Sequence, residues 1–533
     1  MQSKRDQVHA HTFMMGRLSS GLLTADPDAP ESPLGRTTRG VVFGALATLL
    51  ISGGAVVYGL LSPGGNDSWR DGEHLVVNRD TGARYLWTGA DGVLHPVRNY
   101  ASARLIGGSD LPTSDVRTAS LQDVPVGAAV GLPGAPDTVP GTGQLDDGAW
   151  HMCATGPGGA SSGTSGAVTA TGVNKPGATT LVAGAQLDSS AVSGDHALLV
   201  RGPDDTEYLV WRGSRLPLDR ASDARNALGY GSQQAAPVSA AFLDALASGP
   251  ALKPPPVPGR GGAGPALGGE ASRVGQVFKV SVPGGGSTYH LLQKDGLVPL
   301  SRLGAALVLG DPATQKEAYQ GRSPEARTVG ADALREHRAK NTGTAGSAEL
   351  PDKPPVPESV PRGSALCAQV DGGDSGARIR SVLVPLTRLA PVAAPEGTTL
   401  QPACVPTDVT VVRPGRGALV RALHASGAAH AGTTYLVAEN GVKYRVADKD
   451  ALAALGYAAG DIGSVPAPLL AALPTGVDLD TVAATGAVKP KVTAPACGDG
   501  DAAGTDGSKP AGKPGKTDEA VEAGTVRAAD IRH

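Results

Sequence analysis

Four cysteines, Cys153, Cys367, Cys404 and Cys497, are the residues of this chain best suited to covalent chemistry. None forms a CxxC pair or stands at a zinc-ligand spacing from a histidine, so the pattern argues against a metal centre. An even, widely spread set suits disulfides in an oxidising compartment, and spacing alone leaves the connectivity open. Three short stretches imitate catalytic motifs. GRGGAG (259–264) satisfies G-x-G-x-x-G, but PPPVP precedes it and another Gly/Pro run follows. A dinucleotide fingerprint needs a strand before it and a helix after, so that helix N–H groups meet the pyrophosphate. PAGKPGKT (510–517) carries Pro510 where a P-loop has its first glycine, and Pro514 removes another backbone donor from the cradle. GDSG (373–376) has the form of a serine-protease nucleophile loop. Such a serine needs a histidine base, and Ala377 follows where a glycine is usual. A turn between strands is the expected reading. His9 and His11 are two residues apart and point to different sides of a helix. The sequence therefore offers no catalytic, cofactor or metal residues, and its candidate site residues are the four cysteines.

The elements around these residues suggest a membrane-anchored protein. Among 533 residues, Gly 75 and Pro 43 with 3% aromatics indicate several small loop-rich units rather than one large core. A net charge of −3 gives no electrostatic footprint for nucleic acid. Gly40–Leu61 is 22 residues without a charge, long enough to cross a bilayer as a helix. Arg36 and Arg39 precede it, and Asp67, Arg70, Asp71 and Glu73 follow. The basic flank predicts residues 1–39 inside the cell and everything after Leu61 outside. A signal peptide is the rival, but no A-x-A site follows the apolar run, which favours an uncleaved anchor. Within residues 1–39, Val8, His11, Met15, Leu18 and Leu22 recur at helical intervals. That stripe would lie on lipid or dock on a partner. Low-complexity stretches at 154–176, 253–272, 340–364 and 498–533 read as linkers and a disordered tail.

The tetrapeptide ALGY occurs at Ala227–Tyr230 and again at Ala454–Tyr457. Its surroundings overlay without a gap, and about sixteen of the 45 positions from 208 to 252 are identical to 435–479. This is a duplicated unit. Each copy begins with Tyr-Leu-Val, turns at Gly213 or Asn440-Gly441, and returns as a hairpin. Val238, Phe242 and Leu246, matched by Val465, Leu469 and Leu473, predict a short amphipathic helix. Weaker copies stand at YLWTGADGVLHPV (85–97) and YHLLQKDGLVPL (289–300). Copies one and three resemble each other, as do two and four, which predicts a pseudo-two-fold molecule. TTLVAGAQL (179–187), RIRSVLVPL (378–386) and DVTVVRPGRGALVRAL (408–423) read as further strands. The expected fold is a single-span membrane protein with an α+β, mostly β, extracytoplasmic region. Its repeats are 72–112, 195–252, 273–320 and 432–482, joined by linkers at 253–272 and 340–364. They surround a split core of 120–190 and 365–425.

The order of a RDQVHAHTFMMGRL helix, one span and GARYLWTGADGVLHPVRNYASARLIGG (82–108) closely resembles the EccB family. The VRPGRGALVRA run (412–422) is similar too. EccB proteins are single-span components of the type VII (ESX-type) secretion machine. The resemblance implies a structural subunit on the cell membrane that joins EccC (the motor ATPase), EccD, EccE and a mycosin protease. It also implies self-association in the complex, no cofactor, and a disulfide between Cys153 and Cys367. Cys404 and Cys497 fall outside the family pattern, and their pairing rests on elimination. Two other expectations compete: an ATPase lacking a Walker motif, since EccB members carry that label, and a cell-wall-binding module.

Overall fold

The computed structural model describes residues 3–25, 33–61, 68–88, 92–156, 175–281, 286–340, 350–373, 376–389, 400–423, 429–495 and 497. Helix α1 (Lys4–Thr24) starts at Ser3, whose side chain accepts from the Asp6 N–H while Asp6 caps Ser3 in return. This capping box satisfies donors that the first turn leaves free. Helix α2 (Pro33–Leu61) begins with proline, whose missing N–H costs nothing at a helix start. Its Thr37–Tyr58 stretch is long and apolar enough to cross a membrane, and none of it is buried against the rest of the protein.

Beyond α2 the described residues build five sheets. Sheet 1 comprises Leu75–Asn78, Arg84–Thr88, Val93–Pro96 and Thr113–Val116. Sheet 3 comprises Val277–Ser281, Ser287–Gln293, Gly296–Leu300 and Arg327–Val329, and sheet 4 Ala418–Leu423, Ala429–Val437, Lys443–Val446 and Gly463–Pro466. Each runs in the order third, second, first, fourth, with the fourth strand parallel to the first. Sheet 2 has the same path through His196–Arg201, Glu207–Trp211, Ser214–Pro217 and Ala236–Pro237. The third strand of each sheet is shielded by a returning segment. The bridges are Leu94 to Val126, Leu218 to Leu252, Leu297 to Arg338 and Val446 to Leu479. Covering an edge in this way removes a template for unwanted pairing.

The central sheet takes strands from two distant parts of the chain. Its order is Val409–Val411, Thr179–Val182, Trp150–Thr155, Ser364–Gly373, Gly376–Pro385, Ser190–Ala191. Trp150–Thr155 is buried at all six positions, so both faces are covered. Strand alternation sends Trp150, Met152 and Ala154 to one side and Cys153 to the other. On the first side they meet Val210, Val238 and Phe242 of sheet 2 and Val437, Val465 and Leu469 of sheet 4. The outer faces of sheets 2 and 4 bury helices from sheets 3 and 1. Leu303 and Leu307 of Arg302–Gly310 join Leu209 and Leu228, and Ala101 and Leu105 of Tyr100–Gly107 join Leu436 and Leu455.

Several sequence expectations differ from this arrangement. Tyr-Leu-Val lies on the second strand of its unit, not the first, and the fourth unit opens before the expected 432–482, at Ala418–Leu423, which gives the Tyr-Leu-Val strand its second hydrogen-bonded neighbour. The 408–423 stretch accordingly divides: Val409–Val411 joins the central sheet and Ala418–Leu423 joins sheet 4. Residues 126–130 belong with sheet 1 rather than the core piece 120–190, since they cover its third strand. Arg327–Val329 carries sheet 3 past residue 320. The 253–272 linker is a packed strap, with Leu267 buried and Arg260 paired to Asp311 at 2.7 Å. From the 340–364 linker, Val356–Glu358 pairs with His196–Leu198 of sheet 2. The tail 498–533 lies outside the described residues.

Candidate functional site

The imitation motifs separate cleanly. In 259–264 the Gly261 and Gly264 donors are already engaged: Gly261 N–H to Val274 O at 2.9 Å, and Gly264 N–H to Ser272 O at 2.9 Å. Spent donors cannot cradle a phosphate. Gly373 and Gly376 pair across a hairpin, while Asp374 and Ser375 of GDSG lie outside the described residues. PAGKPGKT lies outside them as well. His9 and His11 are exposed on α1. Among the described residues no group of three or more His, Cys, Asp or Glu could hold a metal.

The cysteines do meet. Cys153 and Cys367 stand directly opposite on neighbouring antiparallel strands and are bridged across 214 residues of chain. The register that pairs Trp150 with Val370 also places the two sulfurs together. Cys404 is bridged to Cys497, 93 residues on. The chain reaches Cys497 along a strap held by Asp478, which is 1% exposed. Asp478 accepts from Thr493 N–H at 2.9 Å, Thr493 Oγ1 at 2.7 Å and Arg445 Nη1 at 2.7 Å.

The two ALGY stretches perform one mechanical task twice. Gly229 and Gly456 both adopt φ near +85° (84 and 85), the left-handed turn that ends a helix and that glycine enters without strain. That turn drives the following tyrosine inward, to 0% exposure for Tyr230 and 5% for Tyr457. Tyr230 Oη donates to Pro355 O at 2.8 Å, and Tyr457 Oη donates to Pro140 O at 2.6 Å. Burial raises both phenol pKa values, so both remain donors. Each acceptor is a proline carbonyl on a strap arriving from the neighbouring unit. Ala227 packs so closely on Gly310 that a Cβ at position 310 would collide with the alanine methyl. In the other copy, Arg104 Nη2 donates to Leu455 O at 3.0 Å.

Other functional contacts carried a weaker sequence signal. In VRPGRGA, Arg413 and Arg416 both hold the fully buried carboxylate of Asp146, with Arg413 Nε at 3.0 Å from Oδ2. Two arginines flanking a Pro-Gly turn are the only hint the sequence provides, because Asp146 lies 267 residues from Arg413. Lys443 is 1% exposed and donates to the Leu470 and Leu473 carbonyls; burial pushes its pKa down to about 8. His151 is 2% exposed, its Nδ1 has no hydrogen-bond partner among the described residues, and burial lowers its pKa to about 4. On α1, Val8, Phe13, Met14, Met15, Leu18 and Leu22 are all more than half exposed.

This arrangement of one apolar span, doubled hairpin units and a stapled central sheet has known counterparts. Residues 1–489 match the family model described as Type VII secretion system ESX-1, transport TM domain B. "ESX-3 secretion system ATPase EccB3" of Mycolicibacterium smegmatis is 33% identical over 316 residues, covering 57% of this chain and 56% of the relative. "ESX-5 secretion system ATPase EccB5" of Mycobacterium tuberculosis is 31% identical over 313 residues, covering 57% and 58%. The aligned part thus spans somewhat more than half the length of these relatives. Among solved structures, a chain of an intact ESX-5 inner membrane complex matches 91% of this protein and 95% of its own length, at TM-score 0.55 and 26% identity. The EccB3 dimer from the ESX-3 core complex matches 77% of this protein and 99% of that chain, at TM-score 0.56 and 26% identity. With the family model running from the cytoplasmic helix through the span to the end of sheet 4, this single-pass membrane chain with a large extracytoplasmic region belongs to the EccB family of type VII secretion systems.

Proposed function

We propose that the protein is a structural subunit of a type VII secretion membrane complex, building and stiffening its extracytoplasmic part. The observation that carries this reading is the fold shared, over 91% of this protein, with a chain of the ESX-5 inner membrane complex. Its construction suits the role: distant segments are stapled by two disulfides, and buried tyrosines lock the straps between units. Sheets 1 to 4 are four copies of one unit, paired as 2 with 3 and 4 with 1, in a pseudo-two-fold arrangement around the split core. Shared strand order and the two matching tyrosine locks support that architecture. The partners are the EccC motor ATPase, EccD, EccE, a mycosin protease and further copies of this chain. Deleting the gene should abolish the high-mass membrane complex on native gels and export of its substrates, and the full-length chain should restore both. A complex that assembles and exports normally without it would end this reading.

A second reading is nucleotide hydrolysis, favoured by the ATPase label on both curated relatives. Phosphate release from ATP by the purified full chain tests it. Turnover that survives rigorous purification and falls with point substitutions in this chain would establish it.

A further inference from the structure

A cleft of about 500 Å³ opens where sheets 2 and 4 meet, with the Cys404–Cys497 bridge in its wall. Two cations line it at equivalent places. Arg215 pairs across its hairpin with Val210, and Lys443 pairs with Val437, the residue that aligns with Val210. The short helices Ala240–Asp244 and Ala467–Ala471 are equivalent too, at the same offset as the two ALGY stretches. One ends in Asp244 and the other in Ala471. In the first half, Arg215 Nη1 donates to Asp244 Oδ1 at 2.9 Å.

In the second half Ala471 stands in place of Asp244, and no carboxylate among the described residues takes that role. Lys443 turns instead to the Leu470 and Leu473 carbonyl oxygens, the latter at 2.9 Å. Its ammonium stands 5.9 Å from the centroid of the Tyr435 ring. Two of its three protons therefore have protein acceptors. Buried charge without a counter-charge is costly, and a carboxylate delivered to it recovers much of that cost. Among the described residues the cleft thus presents two cations and one carboxylate against the apolar surfaces of Val405, Tyr435 and Leu470. Its size is ordinary for small-molecule sites, about 300–1,000 Å³.

We propose that this cleft binds a small monoanion with an apolar body, whose carboxylate takes the third Lys443 proton and fills the role Asp244 plays toward Arg215. The charge then balances, and the apolar body covers the Tyr435 wall. Octanoate is a suitable probe, with octanamide as its neutral counterpart. Calorimetric titration of the full chain in amphipol should show saturable octanoate binding, with octanamide weaker by at least about tenfold for the missing charge. Lys443→Met keeps the apolar stem and should lose octanoate binding. Ala471→Asp supplies the missing carboxylate at a half-buried position and should lower octanoate affinity at least about tenfold while the melting temperature holds. The proposal is overturned by any of three results: no saturable octanoate binding, equal binding of octanamide, or unchanged octanoate affinity in a folded Ala471→Asp protein.

Discussion

A hydroxyl buried against a single carbonyl has no water to fall back on, which makes Tyr230 and Tyr457 sensitive probes of how the units are locked. Tyr→Phe at either position keeps the ring but strands the Pro355 or Pro140 oxygen. Each substitution should cost about 1–3 kcal/mol, read as a lower urea midpoint of the purified chain. Equal losses at the two sites would match their equivalent geometry. His151 offers a pH test. Its folded pKa, about 4, lies below the ordinary 6.5 because burial disfavours the cation, with Asp371 opposing weakly. The unfolded chain therefore binds this proton first as pH falls. Stability from this group is complete above about pH 6.5 and is lost as pH drops toward 4, by up to about 3 kcal/mol. His151→Phe should flatten that part of the stability profile, and an unchanged slope between pH 6.5 and 4 would refute the assignment.

At the scale of elements, turn length decides chemistry. The hairpin of sheet 2 turns through Arg212 and Gly213, both at positive φ, the form that suits two-residue loops. In sheet 4 the corresponding loop spans Glu439, Asn440 and Gly441, since Ala438 N–H bonds Val442 O. The extra residue slips the returning strand by one, so Lys443 matches Arg215 rather than Leu216. A gapless overlay of the two sequences conceals this. Helix α1 poses a different question, because its apolar residues exceed one stripe. At 100° per residue, Phe13 falls about 140° from Val8 around the axis, away from Met15, Leu18 and Leu22. Two apolar sides fit a helix held between lipid and a protein partner. Phe13→Asp and Leu18→Asp, tested separately, should each reduce co-purification of the complex severalfold, since a buried carboxylate without a partner is costly. Full recovery of the complex with both variants would leave α1 without a docking role.

The whole extracytoplasmic region depends on closing very long loops. Cys153–Cys367 closes 214 residues and Cys404–Cys497 closes 93. In the chain-entropy model each bridge stabilises by about 5 kcal/mol, because closure entropy grows only logarithmically with loop length. Replacing Cys153 and Cys367 by alanine should therefore lower stability by several kcal/mol and expose the strands Trp150–Thr155 and Ser364–Gly373 to protease sooner. Replacing Cys404 and Cys497 should free the strap while leaving the central sheet protected. Non-reducing peptide mapping of the native chain should recover WHMCAT linked to ALCAQV, and Cys404 linked to Cys497. Scrambled pairs in the secreted-side region of native membranes would contradict this construction.

Much of this protein is local and therefore legible without coordinates. The uncharged run from Gly40 to Leu61 dictates a span through its length alone, and Tyr-Leu-Val with ALGY marks a duplicated unit because both depend on neighbours close in sequence. Ser3 and Asp6 cap α1 within one turn. What depends on distant contacts was decided only in three dimensions. Ala418–Leu423 reads as core strand until its pairing with Ala429–Val437 is seen, since any apolar strand suits either sheet. The Gly/Pro-rich 253–272 stretch has the composition of a linker, yet it folds because Leu267 and the Arg260–Asp311 pair find partners in sheet 3. Asp146 and Lys443 look like ordinary surface charges, and only burial, with the charge balance it enforces, turns them into a clamp and a cleft.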